Sequence, residues 1–185
     1  KTLERINLFY EKFTQSDNVE FINGEKVPSL KKLLNDIDWN RISKGLAGRF
    51  HGDFHFENIL YSKDNKVFTF LDWRQDFAGD LTIGDIYYDF AKLMHGLIVN
   101  HGIITKNQFS VSWKGNTINY DFHRKQSLVE CEQVFSKWIE DNGYDIRKTR
   151  ILTGLIYLNI AALHHYPYSL FLYGLGKKML KKEQI

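Results

Sequence analysis

An unusually polar segment, His51-Gly52-Asp53-Phe54-His55-Phe56-Glu57-Asn58, runs straight into the apolar Ile59-Leu60. A second polar point, Asp72-Trp73, follows the apolar Phe70-Leu71. Asp and Asn side chains offer hard oxygen donors, the type that Mg²⁺ takes, and no cysteine is needed for that. A carboxylate can also accept or orient the proton of an attacking hydroxyl. These are the parts that phosphoryl transfer asks of a protein: one carboxylate at the acceptor, and further oxygens holding Mg²⁺ against nucleotide phosphates. Asp53 and Asn58 sit at opposite ends of one loop, and a hairpin return would bring Asp72 beside them on a rigid mount. Two blander readings compete. Asp and Asn bond their own backbone in ordinary turns. His51, Asp53 and His55 alternate and would share a face as zinc ligands, although no fourth ligand is evident.

HGDFHFENIL followed by FLDW resembles the aminoglycoside phosphotransferase and choline kinase family, whose fold is kinase-like. The five-residue step from Asp53 to Asn58 and the fourteen-residue step from Asn58 to Asp72 both fit the family pattern. The resemblance implies that Asp53 is the catalytic base, that Asn58 and Asp72 bind Mg²⁺, and that His51 is a structural member of the catalytic loop. Gly84-Asp85 with Tyr88-Asp89-Phe90-Ala91 is similar to the family segment that opens the next helix, which implies that Asp89 braces the loop backbone. Ile86 stands where the family usually has Pro, and the stretch from Asp72 to Gly84 is longer than typical. His55, Glu57, Trp73 and Arg74 are candidates for the acceptor pocket, with a solvated loop surface as the other place for His55 and Glu57.

The activity implied is transfer of a γ-phosphoryl group from ATP or GTP, with Mg²⁺, to a hydroxyl of a small metabolite such as a sugar, amino alcohol or aminoglycoside. Arg49 to His55 is also similar to domains fused behind nucleotidyltransferases in bacterial surface-polysaccharide pathways. Two other classes stay open: a kinase-like lobe that binds a ligand or acts as a scaffold without transfer, and a metal-dependent hydrolase using Asp53 and Asp72. Asp53, Asn58 and Asp72 together favour the kinase, since a binding module needs no base beside two metal ligands.

The elements that must position these residues follow from periodicity. Leu3, Ile6, Phe9, Tyr10 and Phe13 fall at helical spacing, and Asn23 to Lys26 reads as a turn. A second helix carries Leu30, Leu33, Leu34 and Ile37. Ile59 to Tyr61 and Val67 to Leu71 flank Asp64-Asn65-Lys66 as a hairpin, and a second hairpin turns at Lys114-Gly115-Asn116. Helices follow from Asp85, from Leu128 to an end at Asn142-Gly143, and from a cap at Asp145. The fold class expected is α+β, predominantly helical: the C-terminal lobe of a protein-kinase-like phosphotransferase, with small β-hairpins carrying the catalytic loop.

Such an enzyme also needs a β-rich lobe with a phosphate-contacting lysine. The fifty residues before His51 read as two helices, so residues 1–185 are expected to be the catalytic lobe alone, inactive by itself, with its nucleotide-binding lobe elsewhere in a longer protein. The opening Lys1-Thr2-Leu3, without Met, agrees with that expectation.

Composition narrows the remaining classes. The 185 residues carry 43% hydrophobic and 25% charged residues, which excludes a disordered chain. A net charge of +3, with its basic residues dispersed, gives no ground for nucleic-acid binding. The single cysteine, Cys131, excludes a disulfide framework; it lies on an apolar helical stripe and reads as a core residue in a cytoplasmic protein. Ile151 to Gly176 lacks Asp, Glu, Lys and Arg, but Asn159, His164, His165, Pro167 and Ser169 interrupt it. Two core helices broken at Pro167 are expected, not a membrane span. Trp113, Trp138 and the later tyrosines read as core material, a subset of which would suit a cage for a cationic amino alcohol.

Overall fold

The computed structural model describes residues 2–184 as an α+β fold in which about half the residues are helical. Its body is built on α7 (Ile146–Ala161) and α8 (Tyr168–Lys182), the two helices richest in buried residues. The uncharged run that raised the membrane question is the seam between them. Pro167 precedes the first turn of α8, where its missing N–H costs nothing. Among the described residues no helix is long and apolar enough to cross a membrane. The helices approach at two glycines: a Cβ on Gly176 would sit 2.9 Å from the Gly154 carbonyl oxygen.

On the other side of α8 lies a four-stranded sheet of β1 (Glu20–Ile22), β2 (Glu25–Val27), β7 (Phe109–Lys114) and β8 (Thr117–Phe122), in the order β2-β1-β8-β7. The segment read as a turn at Asn23 to Lys26 is instead the tip and second strand of a hairpin. Asn23 and Gly24 take positive φ of 51° and 77°, the conformation that closes two-residue hairpins. β1 then pairs in parallel with β8, almost a hundred residues away in the chain. The first fifty residues are therefore not two helices. They form α1 (Thr2–Phe13), this hairpin, and the short helices α2 (Leu30–Asn35) and α3 (Trp39–Ser43), capped by Ser29 and Asp38.

Phe9, Tyr173 and Trp113 stack in series, with centroids 4.7 and 5.1 Å apart, and join α1, α8 and the sheet. Beside them a buried ion pair, Lys177 Nζ to Glu20 Oε2 at 2.5 Å, ties α8 to β1. Lys177 also donates to the Asn18 carbonyl at 2.8 Å, so the buried ammonium is well satisfied.

α4 (Ile86–Ile98) packs its Phe90, Ala91, Met94 and Leu97 face into the body and leads to α5 (His101–Thr105). α6 (Gln126–Asp141) buries only Ile139 fully. Cys131 is therefore half-buried, not core: its stripe faces an open apolar groove shared with Phe56, Leu93 and Trp138, and Trp138 is exposed. The remaining strands carry the polar segment. β3 (Ala47–Gly48) pairs with β6 (Gly84–Asp85), and β4 (Ile59–Ser62) pairs with β5 (Val67–Phe70), placing residues 49–58 between two small ladders.

Candidate active site

The loop from Arg49 to Asn58 is held at both ends and across its middle. Asp89, in the first turn of α4, accepts the backbone N–H of His51 at 2.6 Å and of Gly52 at 2.8 Å. Burial pushes the Asp89 carboxyl up, and the two amides pull it back toward the ionised form. Gly52 has φ +80°, and a Cβ there would strike the Arg74 side chain at 2.5 Å, so the position demands glycine. Asn58 ends a 3₁₀ turn (Phe56–Asn58) and donates from Nδ2 to the Asp53 carbonyl at 3.0 Å, drawing the loop closed.

The returning strand is stitched to the same loop. The Leu71 N–H donates to the Asn58 carbonyl at 2.8 Å, and the Arg74 N–H to the His51 carbonyl at 2.9 Å. Asp72 lies between these two bonds with φ 57°, a left-handed conformation that its short polar side chain tolerates. The structure thus brings Asp53, Asn58, Asp72 and Asp89 around one loop. The Asp72 carboxylate is exposed and takes no hydrogen bond or ion pair from the described residues. The His51 ring is buried against Trp73, with centroids 4.9 Å apart, and against Phe54; its Nδ1 accepts the Asp53 N–H at 3.2 Å.

A chain of charged and polar contacts leaves Asp53 in the other direction. Lys92 Nζ lies 2.6 Å from Asp53 Oδ1, while His55 Nε2 stands 3.6 Å from Oδ2, beyond hydrogen-bond length. His55 Nδ1 meets Glu57 Oε2 at 3.0 Å, and Glu57 Oε1 accepts from Asn100 Nδ2 at 3.1 Å. Burial works to raise the Asp53 carboxyl. The bond and charge of Lys92, then the charges of His55 and Arg74, outweigh it and hold the group below the usual carboxylate range.

The four acceptor-pocket candidates do not fall together. His55 and Glu57 join Asn100 at the start of α5. Arg74 lines a separate concavity with Gly52, Phe77 and Tyr88, and Trp73 lies over His51 with its Nε1 donating to the Phe70 carbonyl. The zinc reading of His51, Asp53 and His55 falls. Among the described residues no group of three His, Cys, Asp or Glu is placed to hold a metal ion, and His51 is turned into its aromatic cluster. Mg²⁺ asks for something different: a few oxygen donors beside the nucleotide phosphates. Asn58 and Asp72 supply an amide oxygen and a free carboxylate on backbone that is directly hydrogen-bonded, and that donor set fits.

Two members escaped the sequence reading. Lys92 sits three residues after Asp89 and so on the same face of α4, a spacing legible in Asp89-Phe90-Ala91-Lys92. Asn100 left no comparable signal.

The profile of the phosphotransferase enzyme family, APH, matches residues 9–109, a span that includes every residue named in the site and more than half of the chain. The chain belongs to the phosphotransferase enzyme family. No curated protein and no solved structure matches it.

Proposed function

We propose that this chain is the catalytic lobe of a kinase that transfers the γ-phosphoryl group of ATP or GTP to a hydroxyl of a small metabolite. The observation that carries the reading is the stitching of Asp53, Asn58 and Asp72 around one loop in a member of a phosphotransferase family. Asp53 accepts and orients the hydroxyl proton of the acceptor. The acceptor oxygen bonds to the γ-phosphorus, the bond to the β–γ bridging oxygen breaks, and the nucleoside diphosphate leaves. Asn58 and Asp72 are the residues that would hold Mg²⁺, whose chemistry is to neutralise charge on the phosphate oxygens. Asp89 fixes the loop backbone, and His51 fills the space beneath it.

A nucleotide-binding lobe would cover the β4–β5 hairpin. Leu60, Tyr61, Val67 and Phe68 are all more than half exposed there, an apolar area of the kind that marks an interaction surface. Acceptor selection falls to His55 and Glu57 on one side of Asp53 and to Arg74 on the other.

The test is phosphoryl transfer by the full-length protein, with γ-labelled ATP and GTP and Mg²⁺, to water, choline, glucosamine and an aminoglycoside. Asp53→Asn should lower turnover by about 10²- to 10⁴-fold, with Mg²⁺-nucleotide affinity nearly unchanged. Absence of both Mg²⁺-dependent nucleotide binding and phosphate release from the wild-type protein would overturn the reading. Asp72→Ala should abolish the Mg²⁺ dependence of nucleotide binding; binding unaffected by that change removes Asp72 from the metal.

A further inference from the structure

One face of α4 reads along the catalytic loop residue by residue. Asp89 takes the amides of His51 and Gly52, Lys92 takes the carboxylate of Asp53, and Gly96 lies under His55 so closely that a Cβ would sit 3.1 Å from the His55 Cβ. The steps of three and four residues are those that align side chains on one helical face. The first contact fixes backbone and the last fixes spacing, but the middle one reaches the reacting group itself. Lys92 is well placed for that, with a side chain only 12% exposed and a head aimed at one carboxylate oxygen.

We propose that Lys92 is a positioning residue for Asp53: it holds Oδ1 and so leaves Oδ2 turned toward His55 and the acceptor hydroxyl. The assignment rests on the kinase reading above. A carboxylate on a short side chain still rotates about its last bond. Two equivalent oxygens give the acceptor proton two targets, only one of which is correctly placed. An ammonium at 2.6 Å on Oδ1 removes that choice, because a charge-assisted bond of this length is among the stronger contacts a side chain makes. It leaves the proton-accepting oxygen without a hydrogen bond from the described residues, since His55 at 3.6 Å acts on it through charge alone. Helix and loop are therefore matched at three points, and only Lys92 touches the base.

Steady-state kinetics of full-length Lys92→Met and Lys92→Arg with MgATP test this, read as phosphate release with water standing in for the acceptor. Lys92→Met should lower kcat by roughly 10- to 100-fold with the KM for MgATP within about threefold of wild type, the signature of a misplaced reacting group. Lys92→Arg, which keeps a cation within reach of Oδ1, should recover most of the loss. Thermal melts of both variants identify any that fail to fold, and Lys92→Arg then carries the comparison alone against Asp53→Asn. A kcat within about threefold of wild type in folded Lys92→Met overturns the proposal, as does a loss that folded Lys92→Arg leaves unrepaired. A wild-type protein that neither binds Mg²⁺-nucleotide nor releases phosphate fails at an earlier step: it overturns the kinase reading and this assignment with it.

Discussion

The seam between α7 and α8 and the hairpin of β4 and β5 are opposite solutions for an apolar stretch. At the seam, Tyr157, Phe171, Leu172 and Tyr173 are at most 1% exposed, and every neighbour is protein. On the hairpin, Phe68 is 59% exposed, and only the end at Ile59 and Phe70 packs, with the Phe70 ring against His51 and Phe54. The site straddles the two regimes. Asp53 belongs to the first, because Asp89 and Lys92 bind its loop to a helix packed in the body. Asp72 belongs to the second, at the end of a hairpin whose own packing is thin. The contrast teaches that Asp53 has a rigid mount in the packed body, while Asp72 is placed by backbone bonds at the end of a thinly packed hairpin.

Four substitutions would break or sharpen that contrast. Phe171→Ala at the seam should cost about 3–5 kcal/mol, measured by denaturant unfolding, because it empties a site with no room to collapse. Asp89→Ala should cost about 2–3 kcal/mol by the same measurement, since it strands two loop amides that share one charged acceptor. If it leaves stability unchanged, the loop is not held from α4.

The third test is one of pH. His95, on α4 beneath the loop, packs against Tyr157 at 4.9 Å, and neither ring nitrogen has a partner among the described residues. Burial, then the charges of Lys92 and His55, push its pKa down to about 3. The unfolded chain therefore binds a proton below about pH 6.5 that the folded chain refuses until about pH 3, so stability must fall as pH drops through that window. His95→Phe should flatten the slope there by up to about 1.4 kcal/mol per pH unit. An unchanged slope would mean that the imidazole takes up its proton in the folded state.

The smallest effect belongs to the hairpin. Phe68→Ala should change the stability of this chain by less than about 0.5 kcal/mol, as exposed positions do. A loss comparable to that of Phe171→Ala would erase the distinction between the two regions.

The sequence made the site legible because its spacing is local. Asp53, Asn58 and Asp72 lie within one loop and one hairpin, and Asp89 opens the next helix, so counting residues was enough to place them together. The N-terminal hairpin was missed for the converse reason. Glu20 to Ile22 is too short to show alternation, and the strand that completes it, β8, lies far along the chain. Cys131 shows a different limit. Helical period identifies that Cys131, Phe135 and Trp138 share a face, but not that the groove they line stays open. Lys92 needed the geometry, because spacing placed it beside Asp89 without revealing that Asp53 would be folded over to meet it.

The β4–β5 ladder also acts as a ruler. Ile59 faces Phe70 and Ser62 faces Val67, and the Leu71 N–H then returns to the Asn58 carbonyl. Side chains alternate along a strand, so adding or removing one residue between Ile59 and Ser62, or between Val67 and Phe70, would turn Asp72 to the opposite side of the hairpin. The same change at Asp64-Asn65, outside the paired positions, would alter only the tip. A change of length that keeps Asp72 in place is thus one made in the turn, and the spacing of Asn58 and Asp72 is written as a count of paired residues.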